Sequence, residues 1–129
     1  NKREIAGDDF FTRMFETALA DDELITSVSF PKPTAAAYMK FENPASRYAI
    51  VGVCGAKTDD GIRVAVTGAT PCVHRGKQLE EALKGEFSSA ACVGVDVPED
   101  QMNADIHASA EYRAHLVKVM TKRAVDACT

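Results

Sequence analysis

Between Tyr48 and Thr67 the chain spells out a hairpin, and that stretch limits the fold more than any other. Tyr48-Ala-Ile-Val-Gly-Val-Cys54 is a continuous apolar run of strand length, read as a strand buried on both faces, with a helix of similar length as the alternative. Thr58-Asp59-Asp60-Gly61 follows, and Asp-Gly tolerates the positive φ that tight hairpins need. Ile62, Val64 and Val66 then alternate with Arg63, Ala65 and Thr67, as a returning strand with one buried face requires. Gly68-Ala-Thr-Pro71 closes it.

Upstream, Asp8 to Phe15 puts two acids before an apolar cluster and suits a short helix or tucked turn. Leu24 to Phe30 alternates as a strand with Leu24, Val28 and Phe30 on one side, ended by Pro31 and Pro33, which cannot donate to a ladder. Ala36 to Phe41 is a further strand, with Met39 and Phe41 on one face and Tyr38 and Lys40 on the other. Asn43-Pro-Ala-Ser46 is loop chemistry.

After Pro71 the period changes. His74 to Lys84 reads as a helix carrying Leu79, Ala82 and Leu83 and stopped by Gly85, and Ser88 to Val93 as one or two further turns. Gly94 to Met102 is an acidic loop. From Asp105 to Ala127, Tyr112, Leu116, Val119, Met120, Ala124 and Ala127 make one helical stripe, with Arg113, Lys118, Lys122 and Asp126 off it. Ser109 or Asp105 is placed to cap its start. Strands first and helices afterwards give an α+β fold, a mainly antiparallel sheet of about three to four strands followed by about three helices packed on one face. At 129 residues, 46% of them hydrophobic, the chain supports one core, so residues 1–129 are read as a single domain.

A net charge of -4 argues against a basic nucleic-acid-binding face. No apolar run reaches the ~20 residues that cross a bilayer, so no transmembrane segment is expected. The start Asn-Lys-Arg-Glu-Ile lacks Met and leads to no apolar signal core, which suggests a fragment or processed chain. Cys54, Cys72, Cys92 and Cys128 include no Cys-x-x-Cys pair, and are read as reduced, mostly buried thiols of a cytoplasmic protein.

The wording of several segments is more specific than their periodicity. Ser109-Ala-Glu-Tyr-Arg-x-His-Leu116 with Lys122-Arg-Ala124, Tyr38-Met-Lys-Phe41, Ala45-Ser-Arg-Tyr-Ala-Ile-Val-Gly-Val53 and Val64-Ala-Val-Thr-Gly68 stand out. Together with Asp9-Phe-Phe11, Phe15-Glu-Thr-Ala-Leu19 and Asp22-Glu-Leu-Ile-Thr26, they resemble, in collinear order, the C-terminal domain of the FAD-binding medium subunits of molybdenum hydroxylases, the carbon monoxide dehydrogenase flavoprotein family. The likeness covers nearly the whole chain and is nearest the carbon monoxide dehydrogenase branch through Ala45 to Ala49.

The resemblance implies an oxidoreductase part that is not itself catalytic. It would help enclose FAD and dock the subunit for electron transfer. Its implied partners are its own N-terminal FAD-binding domain, a molybdenum large subunit and an iron–sulfur small subunit. The glycine-rich loops that hold the FAD pyrophosphate in this family lie in the N-terminal part, absent here, so no FAD is expected to bind tightly to this chain alone. Gly52-Val-Cys-Gly55 is too short for such a loop, and close strand packing accounts for it better.

For cofactor-binding residues the resemblance selects Lys40, and with it Ser46 and Arg47 in the following loop. A cation near a flavin stabilises the charge that builds at the N1–C2 carbonyl edge on reduction. From the residues alone Lys40 reads as a solvated lysine on a half-exposed strand and Arg47 as an ordinary surface cation; the flavin-facing reading of Lys40 comes from the resemblance. His107, Glu111 and His115 stand at four-residue steps, a spacing that could bind a metal but arises readily on a solvated stripe, and no metal is assigned. No catalytic residue is assigned either. A stand-alone interaction or dimerisation module with no flavin role is the competing reading, separable by whether glycine-rich phosphate-binding motifs precede Asn1.

Overall fold

A computed structural model describes residues 1–128. Its centre is a four-stranded antiparallel sheet of β3 (Ala35–Glu42), β4 (Ala49–Thr58), β5 (Gly61–Thr67) and β6 (His74–Arg75), in spatial order β3-β4-β5-β6. Ahead of it lie a one-turn helix α1 (Gly7–Phe10) and a two-stranded ribbon of β1 (Phe11–Arg13) and β2 (Glu16–Thr17). After the sheet come α2 (Lys77–Gly85), a 3₁₀ turn at Ser89–Cys92, and the long α3 (Ala110–Ala127). The α+β architecture expected from sequence is the one observed, with the small ribbon in addition.

The hairpin forms where its residues demand it. Thr58 pairs with Gly61 around Asp59-Asp60, and Gly61 takes φ of 120°, open to glycine at no steric cost. Val51 and Val53 of β4 lie on the same face as Ile62, Val64 and Val66 of β5, and all five are buried. Leu79 and Leu83 of α2 close over this layer with Leu116, Val117, Met120 and Val125 of α3. The second face is largely left open, with Tyr38 half exposed.

Five sequence expectations need correction. Leu24 to Phe30 is not a strand: it runs as irregular chain with Leu24 87% and Phe30 83% exposed. Alternation supplies an apolar side but not the ladder partner without which backbone groups stay unpaired. The helix expected from His74 begins only at Lys77, because His74 and Arg75 pair with Val66 and Ala65 as β6.

The buried stripe of α3 is also rotated from the expected one. It consists of Arg113, Ala114, Leu116, Val117, Met120, Thr121, Ala124 and Val125, while Tyr112 is 42% exposed and Ala127 is exposed. Apolar residues occur almost all round this helix, so periodicity permits more than one stripe and contact with the sheet selects between them. Of the four free cysteines, only Cys92 is fully buried. Tyr48, at the edge of the apolar run, is exposed.

Two charged residues are built into the interior. Glu80 of α2 accepts the Val64 backbone N–H at 2.8 Å, standing in for a neighbouring strand where β6 is too short to reach. Its carboxylate also receives Arg75 Nε and Nη2, the latter at 2.6 Å, and Arg75 reaches on to Asp8 at 3.1 Å. The network joins α2, the sheet edge and α1. Arg113 is the second.

Candidate functional site

The sequence-selected residues gather at one end of the sheet, where β3 turns into β4. Lys40 stands on β3 opposite Gly52, on the open face with Tyr38. Side chains close over Gly52. A Cβ at this position would meet the Tyr38 hydroxyl and come within 2.6 Å of Thr67 Oγ1, so both would have to move aside, which marks the glycine as a packing position rather than part of a phosphate loop.

The connecting loop is held by its own polar groups. Asn43 Oδ1 accepts the N–H groups of Ala45 and Ser46 at 2.9 and 3.2 Å, an Asx-type turn, and Asn43 N–H donates to the Tyr48 carbonyl at 2.8 Å. Ser46 Oγ faces the Tyr48 N–H at 3.4 Å. Arg47 sits in the left-handed region with φ of 63°, an uncommon backbone for a residue with a Cβ.

Lys40 and Arg47 are brought together, but through the backbone. Lys40 Nζ donates to the Arg47 carbonyl at 2.9 Å and lies 3.6 Å from Glu42. An ammonium has three N–H donors, so one remains for a further acceptor on the open face. The Arg47 guanidinium points to solvent, with Glu42 at 3.5 Å. Ser46 instead lines a separate shallow cleft of about 430 Å³, together with Asn43, Asn103, Asp105, His107 and Arg113.

The residue that sequence reading missed here is Arg113, assigned to the solvent side yet only 4% exposed. Its Nη1 donates to the carbonyls of Ile50 at 2.6 Å and Gly68 at 3.1 Å, and its Nη2 to Asp105 at 2.7 Å. Asp105 also accepts the N–H groups of His107 and Ala108. These bonds, His107 foremost, and the nearby Arg113 charge hold its carboxyl below the ordinary value. Gly68, at φ of 76°, approaches so closely that a Cβ would sit 2.5 Å from the Ala49 carbonyl. The available signal was Asp105 eight residues before an arginine inside a helix with apolar residues on several faces.

Other chemistry weighed from sequence finds a different setting. His107 lies before α3, so it does not share a helical face with Glu111 and His115. Among the described residues no three His, Cys, Asp or Glu side chains converge as a metal site, and no helix is long and apolar enough to cross a membrane. Burial pushes the Cys92 and Cys128 thiols up, the reverse of what activates a nucleophile.

Comparison with known proteins gives this geometry a family. Residues 36–128 match the model of the CO dehydrogenase flavoprotein C-terminal domain. The nicotine 6-hydroxylase medium subunit of Paenarthrobacter nicotinovorans is 32% identical across 96% of this chain and 47% of its own length. Among solved structures, carbon monoxide dehydrogenase from Hydrogenophaga pseudoflava matches with a TM-score of 0.70 and 26% identity, covering 94% of this chain and 46% of that one. Reconstituted CO dehydrogenase from Oligotropha carboxidovorans shares the fold, with a TM-score of 0.78 at 23% identity, over 98% of this chain and 48% of that one. The chain therefore spans about half the length of the relatives it matches. It belongs to the CO dehydrogenase flavoprotein C-terminal domain family.

Proposed function

We propose that this chain is the C-terminal part of an FAD-binding medium subunit in a molybdenum-containing hydroxylase. There it helps enclose the flavin and dock the subunit for electron transfer. The observation that carries this reading is the Lys40 ammonium on the uncovered sheet face, oriented by the Arg47 carbonyl and retaining a free donor, in a chain of this family. Flavin, when bound, supplies the electron-carrying chemistry. Lys40 contributes a fixed positive charge where negative charge grows, and the Asn43-based turn contributes the rigidity that keeps it there. In this reading Lys40 meets one edge of the flavin ring and the pyrophosphate is held by the FAD-binding domain, so the cofactor is shared between the two parts.

Docking has its own support. Leu24, Ile25, Val28 and Phe30 are all exposed, lie outside the family-matched residues 36–128, and make an apolar strip that a monomer seldom leaves uncovered. In this reading residues 1–129 act as one unit and the strip packs against the FAD-binding domain. The molybdenum and iron–sulfur subunits complete a cytoplasmic enzyme whose substrate is chosen elsewhere.

The test is Lys40→Met in the complete subunit. Losing a favourable contact of ~1–2 kcal/mol should lower the flavin potential by roughly 20–45 mV for a two-electron couple. An unchanged potential with unchanged FAD retention would leave Lys40 as a surface lysine.

A further inference from the structure

The buried guanidinium of α3 is placed where it can govern the flavin-side loop, although its hydrogen bonds go to Ile50, Gly68 and Asp105 rather than to Lys40, Ser46 or Arg47. Pairing between β3 and β4 is regular up to Phe41 with Val51, and then Glu42 pairs with Ala49. Ile50 is the extra residue, a β-bulge, and it has no partner across the ladder. A carbonyl released from a ladder in a buried place must find another donor. Arg113 Nη1 supplies it at 2.6 Å and simultaneously binds the Gly68 carbonyl, which pins the bulge to the turn after β5.

The loop Asn43–Tyr48 springs from this bulge and is closed by the Asn43 to Tyr48 hydrogen bond. Its Arg47 carbonyl holds the Lys40 ammonium. At the other end the guanidinium is fixed by Asp105, itself tied to the backbone of His107 and Ala108 just ahead of the Ser109 cap. The series runs from the rigid start of α3 through Arg113 to the bulge, then through the loop to Lys40. Only an arginine can make it. One nitrogen bridges two carbonyls while a second, in a fixed plane, meets a carboxylate; a lysine has a single nitrogen and cannot hold both ends. Arg113 Nε has no hydrogen-bond partner among the described residues, and the two terminal nitrogens aim the side chain.

We propose that Arg113 is a positioning residue for the flavin-facing Lys40, acting through the Ile50 bulge and the loop Asn43–Tyr48. This rests on the flavin reading above.

The experiment compares Lys40→Met, Arg113→Lys and the double variant in the complete FAD-containing subunit, reading the equilibrium between oxidised and reduced flavin against a redox standard. Lys40→Met should shift that equilibrium about tenfold, equivalent to about 30 mV for two electrons. Arg113→Lys should shift it several-fold in the same direction. The double variant should match Lys40→Met alone, because residues in one chain of contacts are not additive. Amide exchange at Ser46 and Tyr48 should rise with Arg113→Lys while that of α2 stays unchanged.

If Lys40→Met moves the equilibrium and Arg113→Lys does not, or if the two shifts simply add, the positioning role is overturned and Arg113 only fastens α3 to the sheet. If Lys40→Met itself has no effect, the flavin reading fails first. Should Arg113→Lys not fold, Asp105→Asn loosens the same guanidinium from its outer end. It should give a smaller shift, again lost in the Lys40→Met background; an additive shift would overturn the inference.

Discussion

Replacing Glu80 tests whether a buried carboxylate serves as a surrogate strand. Glu80→Ala removes the acceptor of the Val64 N–H, a bond of 2.8 Å between buried groups, and both contacts to Arg75. An amide left buried without a partner costs about 1–3 kcal/mol. Arg75 is about a quarter exposed and keeps Asp8, so solvent screening limits the ion-pair loss to about 1 kcal/mol. Better helix propensity and the side-chain entropy set free return about 1 kcal/mol. The net expectation is about 1–3 kcal/mol, a fall in melting temperature of roughly 3–15 °C for a chain of this size. Circular dichroism during heating and urea titration would measure it, with amide exchange at Val64 as the local readout.

Glu80→Gln, which retains an oxygen for Val64, should cost about half as much. Glu81→Ala, at an exposed i,i+3 pair with Lys84, should stay within about 0.5 kcal/mol of the parent. The surrogate-strand role of Glu80 is refuted if Glu80→Ala is equally silent. It also fails if Glu80→Gln is as damaging as Ala, since the ion pair and not the strand contact would then dominate.

Two further outcomes are expected. Leu116→Ala should cost about 2–5 kcal/mol, whereas Tyr112→Ala, on the exposed side and merely edge-on to Phe41, should cost clearly less; equal losses in urea titration would restore the stripe drawn from sequence. His74 bears on pH. Burial lowers its pKa, so between the folded value and about 6.5 the unfolded chain binds the proton and the folded one does not. Stability should therefore fall as pH drops from about 6.5 toward the folded pKa and be flat above that window. His74→Gln should remove this slope, as urea midpoints at pH 7.5, 6.5 and 5.5 (roughly one unit either side of the ordinary value) would reveal.

Much of the fold is legible in the amino-acid sequence because its signals are local. The Asp59-Asp60-Gly61 turn, the alternation of Ile62, Val64 and Val66, and the Ser109 cap each depend on a few neighbouring residues, and each forms where those residues stand. The wording around Lys40 and along α3 points to the family that residues 36–128 match. The two-residue period alone places Lys40 on the face opposite Met39 and Phe41.

The remainder depends on partners distant in sequence. Leu24 to Phe30 has the composition of a strand, but strands exist only when another backbone accepts their hydrogen bonds, and nothing in the run states which one does. Arg113 reads as a surface cation because arginine is seldom buried unpaired. Its burial is possible only because the Ile50 bulge, the Gly68 turn and Asp105 deliver two carbonyls and a carboxylate to one point from positions 63, 45 and 8 residues away. Sequence by itself determined the Asp-Gly hairpin, the strand that carries Lys40 and the capped terminal helix, and it pointed to the family. Which face of α3 is buried and which charges go with it were decided by tertiary contacts, since the energy of a buried polar group lies in partners that folding alone brings within reach.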